Sequence, residues 1–78
     1  MVRKPLTMTR AGETVCVSSV EAGTHLRTRL TTLGLLPGVE VRVISNNARG
    51  PFIVAIGGTR LAMGRGMAHK ILVEPIPA

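Results

Sequence analysis

The side chains in this chain able to ligate a metal or move a proton are few: Cys16, His25, His69, Glu13, Glu21, Glu40 and Glu74, with no aspartate. A metal centre needs several such donors converging on one point, and no two imidazole or thiol donors stand closer in sequence than Cys16 and His25. A surface site at His25 or His69 is the residual metal reading. The plainer one is a histidine at a helix start and another at a strand start. Nucleophilic catalysis needs a serine or cysteine beside a base, and no such spacing occurs. Cys16 lies within a strand pattern, where it reads as a small half-buried side chain. Gly64-Arg65-Gly66 lacks the Lys-Ser/Thr and the following helix of a phosphate loop, and Gly57-Gly58 sits between two strand patterns, so both glycine clusters read as turns. These observations predict no enzyme, no cofactor and no catalytic or metal residue.

The elements that must position any surface are short. Leu26, Leu30 and Leu33 fall at i, i+4 and i+7, an apolar stripe that predicts a helix with its leucines toward a core. Thr24 is the expected N-cap and Gly34 the expected left-handed stop, with Leu35 folding back and Pro37-Gly38 making a turn. Val15, Val17 and Val20 suggest a first strand whose alternation slips at Ser18-Ser19, as at a bulge. Val39, Val41 and Val43 alternate with Glu40 and Arg42. A polar loop over residues 45–51 leads to Phe52–Ile56, apolar on both faces and therefore expected in a central place. Gly57-Gly58 then turns the chain into Thr59–Met63, which Gly64 to Met67 ends. A last strand over His69–Glu74 stops at Pro75 and Pro77. Five strands and one helix between the first two make a mainly β chain. A small antiparallel barrel, with the helix plugging one side, removes exposed edges, and an open sheet crossed by the helix is the other arrangement.

Seventy-eight residues make one domain, 1–78, with a core expected over about 6–74. A lone cysteine suggests a reducing compartment, and neither a signal-peptide core nor a span of some 20 apolar residues is present, so a cytoplasmic location without membrane insertion is expected. Ten basic against four acidic residues give a net charge of +6. That charge supports, as an alternative, a basic small barrel binding nucleic acid. Against it, such platforms stack bases on aromatic rings, and the chain has no Trp or Tyr and a single Phe52.

One ordered set of motifs runs through the Leu6 lead, Ala11-Gly12-Glu13, Leu30-x-x-Leu33-Gly34-Leu35-x-Pro37-Gly38 and Val39-x-Val41-x-Val43. It continues in Gly50-Pro51-Phe52, in Gly57-Gly58 before Leu61-Ala62-Met63, and in Ala68-x-x-Ile71-x-Val73. The resemblance these motifs carry is to the FeoA family, small cytoplasmic proteins associated with the ferrous iron transporter FeoB. It implies an SH3-like barrel and a non-enzymatic accessory role in ferrous iron uptake, exerted by contact with FeoB at its cytoplasmic, GTP-binding side. The expected contact surface is His25, Arg27, Arg29, Leu36 and Pro37, with Arg60, Arg65 and Met67 as a second patch. Self-association stays open.

Overall fold

The computed structural model describes residues 2–47 and 49–76, so the readings at Ala48 and Pro77 lie outside it. One antiparallel sheet runs through the chain in the spatial order β1-β6-β2-β3-β4-β5. Its strands are β1 (Lys4–Pro5), β2 (Thr14–Val20), β3 (Glu40–Asn46), β4 (Phe52–Ile56), β5 (Thr59–Met63) and β6 (Ile71–Pro75), with helix α1 (Thr24–Thr32) between β2 and β3 and a short helix α2 (Arg65–His69) between β5 and β6. The register slips between Val17 and Ser19 in β2, where the broken alternation pointed, and again between Val43 and Ser45 in β3. Such slips bend a strand and increase its twist, which lets the sheet curl around one core. That core takes Val15 and Val17, Val41 and Val43, Phe52 and Val54, and Ile71 and Val73 from alternate positions of four strands, with Leu6, Leu30, Leu35 and Ala68 closing it.

Three expectations need correction. The sheet has six strands, not five: Lys4 pairs with Val73 and Pro5 with Leu72. A two-residue strand has no period to detect, and its proline is tolerated because β1 is an edge. Gly64 to Met67 does more than end β5, since Gly64 precedes α2, and the last strand starts at Ile71, leaving His69 in the helix. Gly66 weakens any helical signal there, while burial of Ala68 against the core holds the turn. Thr24 does not cap α1. It is the first helical residue, Gly23 occupies the N-cap, and no side chain bonds the free amides.

The other end of α1 is tightly specified. Gly34 N donates to Thr31 O at 3.0 Å and Leu35 N to Leu30 O at 2.9 Å, the paired bonds of a Schellman stop, with Gly34 at φ +94°. Leu36-Pro37-Gly38-Val39 follows as a turn closed by Val39 N to Leu36 O at 3.1 Å, with Gly38 at φ +91°. A Cβ at Gly34 would lie 3.9 Å from Ile56 Cγ2, ordinary contact, so the cost of Gly34→Ala is that of the left-handed backbone. It is expected at about 1 kcal/mol, read as a lower urea midpoint at unchanged slope.

Candidate surface on the first helix and its turn

The Schellman geometry decides which leucines face inward. Leu30 and Leu35 are buried, Leu26 is half-buried against the core, and Leu33 is 42% exposed, contrary to its expected place in the core. Leu33 is the C-cap, and the chain doubles back at Gly34, so Leu35 takes the position the helical period assigned to Leu33. Leu36, two residues past Gly34, is 44% exposed. Seven of the nine residues of α1 are exposed, all except Leu26 and Leu30. The helix is thus anchored along one narrow line and open on the rest of its circumference.

The expected contact residues separate into groups. His25 and Arg29, one turn apart, line a shallow cleft with Thr24 and Thr28. Arg27 lies on the opposite flank, where it shares a cleft of about 180 Å³ with Thr31, Leu35, Pro37, Ser19 and Val20. The hydroxyl of Ser19, at the β2 slip, is buried without a hydrogen-bond partner among the described residues. Leu33 was missing from the expected surface. The Leu-Gly-Leu spacing carries the signal that could have found it, because the residue before a Schellman glycine points away from the one after it.

The second expected patch divides between two elements. Arg60 is the second residue of β5 and Arg65 the first of α2, with Gly64 between strand and helix. Arg65 is half-buried and already engaged, its Nη1 donating to Asn46 Oδ1 at 2.7 Å and to Asn47 O at 3.2 Å. Met67 packs against the core. The one ion pair among the described residues joins Lys4 Nζ to Glu13 Oε2 at 3.1 Å. Arg10 N also donates to Glu13 Oε1 at 3.0 Å. That amide above all holds the Glu13 carboxyl below its ordinary range; burial opposes it, and the Lys4 hydrogen bond and the charges of Lys4 and Arg10 add to the lowering. The cations of α1 have no carboxylate partner among the described residues.

Register also places Cys16 between Glu40 and Glu74 on neighbouring strands, a row invisible in sequence. Among the described residues, however, no three His, Cys or Glu side chains gather closely enough to hold a metal ion. Phe52 is fully buried, so the one Phe of a chain without Trp or Tyr is not available for base stacking. No helix among the described residues is long and apolar enough to cross a membrane.

The FeoA domain model matches residues 4–75. This chain belongs to the FeoA family. A Methanocaldococcus jannaschii protein, whose name proposes it as Fe(2+) transport protein A, is 40% identical over 70 residues, covering 90% of this chain and 84% of its own. A crystal structure of an iron uptake regulatory protein, FeoA, superposes with TM-score 0.83 at 30% identity, covering 94% of this chain and 96% of that one. The zinc-complexed FeoA of Stenotrophomonas maltophilia gives TM-score 0.77 at 30% identity, with 88% and 87% covered. It is described as a procaryotic SH3 domain protein and proposed as a ferrous iron transport activating factor. The fold of this FeoA chain is accordingly mainly β and SH3-like, a curled antiparallel sheet around one core.

Proposed function

We propose that this FeoA protein is a non-enzymatic accessory factor of ferrous iron uptake, working as a one-domain cytoplasmic module that touches the GTP-binding side of the FeoB transporter. Family membership supports the iron-uptake role, and the names borne by the relatives point the same way. One observation carries the contact surface: a helix with seven of nine residues exposed and no acid of its own ends in two exposed leucines, Leu33 and Leu36. Apolar side chains supply area that gains from desolvation. The cations Arg27 and Arg29 on the same helix, with His25 one turn from Arg29, select an acidic partner and speed its approach. Pro37 fixes the turn that presents Leu36.

The charge-reversed pair R27E/R29E tests this reading. Both side chains are exposed, so the fold should survive, as a dispersed amide spectrum would verify. Co-purification with FeoB at native levels is expected to fall by about tenfold or more, most steeply at low ionic strength, and ferrous iron uptake to fall with it. Unchanged capture together with unchanged uptake would overturn this surface.

A further inference from the structure

Away from α1, the outer face of the sheet carries a second constellation. The cross-strand register aligns Thr14 with Arg42, Arg42 with Ala55, and Ala55 with Arg60, one row across β2, β3, β4 and β5. Arg42 and Arg60 therefore stand on either side of a residue whose side chain is a single methyl, with backbones about 10 Å apart. These four residues line one cleft of about 410 Å³, whose rim is kept low by Gly57 and Gly58 of the β4–β5 hairpin. Both arginines are exposed, and neither has a carboxylate partner among the described residues.

We propose that this cleft binds the phosphoryl group of a small soluble phosphate ester or pyrophosphate. The donors decide the ligand class. Register and the shared cleft supply a guanidinium fork from each side of Ala55, and the Thr14 hydroxyl can add a third donor at the end of the row. A carboxylate presents both oxygens in one direction and is satisfied by a single arginine. A phosphoryl group has oxygens on several sides and can be held from two opposing walls at once. Glu40 lines the cleft two residues from Arg42 and repels an anion on that flank, which directs it over Ala55 toward Arg60. The cleft is larger than one phosphate and ends in the half-buried Ile44, leaving room for an uncharged remainder of the ligand. This site is independent of the contact proposed for α1.

Titration of the full chain with inorganic pyrophosphate at low salt, followed by amide and arginine Nε shifts, tests it. Saturable shifts centred on Arg42, Ala55 and Arg60 are expected. R42Q and R60Q should each weaken binding about tenfold or more, while R3Q, which removes an exposed charge elsewhere, should leave it nearly unchanged. R60Q changes an exposed side chain on an edge strand, so it remains informative should R42Q disturb the fold. An equal loss in R3Q would mean general electrostatic attraction and would overturn the proposal. So would equal affinity for acetate, or binding to phosphatidylglycerol vesicles without binding to pyrophosphate.

Discussion

Leu30→Ala is expected to lower stability by about 3 kcal/mol, whereas Leu33→Ala, one turn along the same helix, should stay within about 0.5 kcal/mol of the parent. Leu30 is the only residue of α1 with no exposed surface. It fastens the helix to the core, and its carbonyl receives the Leu35 amide that closes the Schellman stop. Truncation removes buried methyl groups and leaves a cavity between helix and sheet that nine residues, seven of them already in solvent, have little means to collapse. A helix this short cannot persist undocked, so part of the loss should appear as local opening of α1 below the global transition. Urea denaturation gives the total, and amide exchange over residues 27–35 gives the local share. Similar losses at Leu30 and Leu33 would contradict the inward and outward assignments. In FeoB capture the contrast should invert: Leu33→Ala keeps the fold but removes apolar area from the proposed surface.

The different fates of these two leucines show how far sequence periodicity reaches. Strands with a clear local signal were legible: β4, read from its apolar run, and β5, read from the Gly57-Gly58 turn before it, occupy the expected residues, and the slip in β2 lies where alternation failed. The helix period was equally legible, but it extrapolated through Leu33 because a 3.6-residue repeat contains no information about where the chain turns back. Gly34 supplied the stop, and only the geometry of the stop, two backbone bonds to Thr31 and Leu30, moves Leu35 into the core in place of Leu33. Elements lacking a period were not legible at all. The edge strand at Lys4-Pro5 and the five-residue α2 exist because long-range pairing and the burial of Ala68 stabilise them, and neither leaves a local pattern. The candidate sites divide along the same line. Exposure of Arg27, Arg29 and Leu36 followed from the helix and turn. Arg42 and Arg60 are 18 positions apart and became neighbours of Ala55 only through two strand pairings.

Asn46→Ala should cost about 2–3 kcal/mol, far more than a residue read as part of a polar loop would suggest. Asn46 ends β3, and its side-chain amide ties that strand to two separate segments. Its Nδ2 donates to Thr7 O at 3.1 Å and to Thr9 O, while its Oδ1 accepts from Arg65 Nη1 at 2.7 Å. Alanine strands two carbonyls of the N-terminal segment in a part-buried site and removes the charge-assisted bond that positions the start of α2. The N-terminal segment is held otherwise by the two pairs of β1, by buried Leu6, and by Thr9 bonding back to Leu6 O. Arg65→Ala should cost less, about 1 kcal/mol, because it leaves both carbonyl bonds in place. In a double-mutant cycle the two changes should be less than additive, since Asn46→Ala already removes the bond that Arg65→Ala would break. Faster amide exchange at Thr9 and Ala68 in the Asn46 variant would localise the loss to the two segments that the amide joins. Equal losses in the two single variants would mean that the carbonyl bonds contribute nothing, and Asn46 would then serve only to orient Arg65.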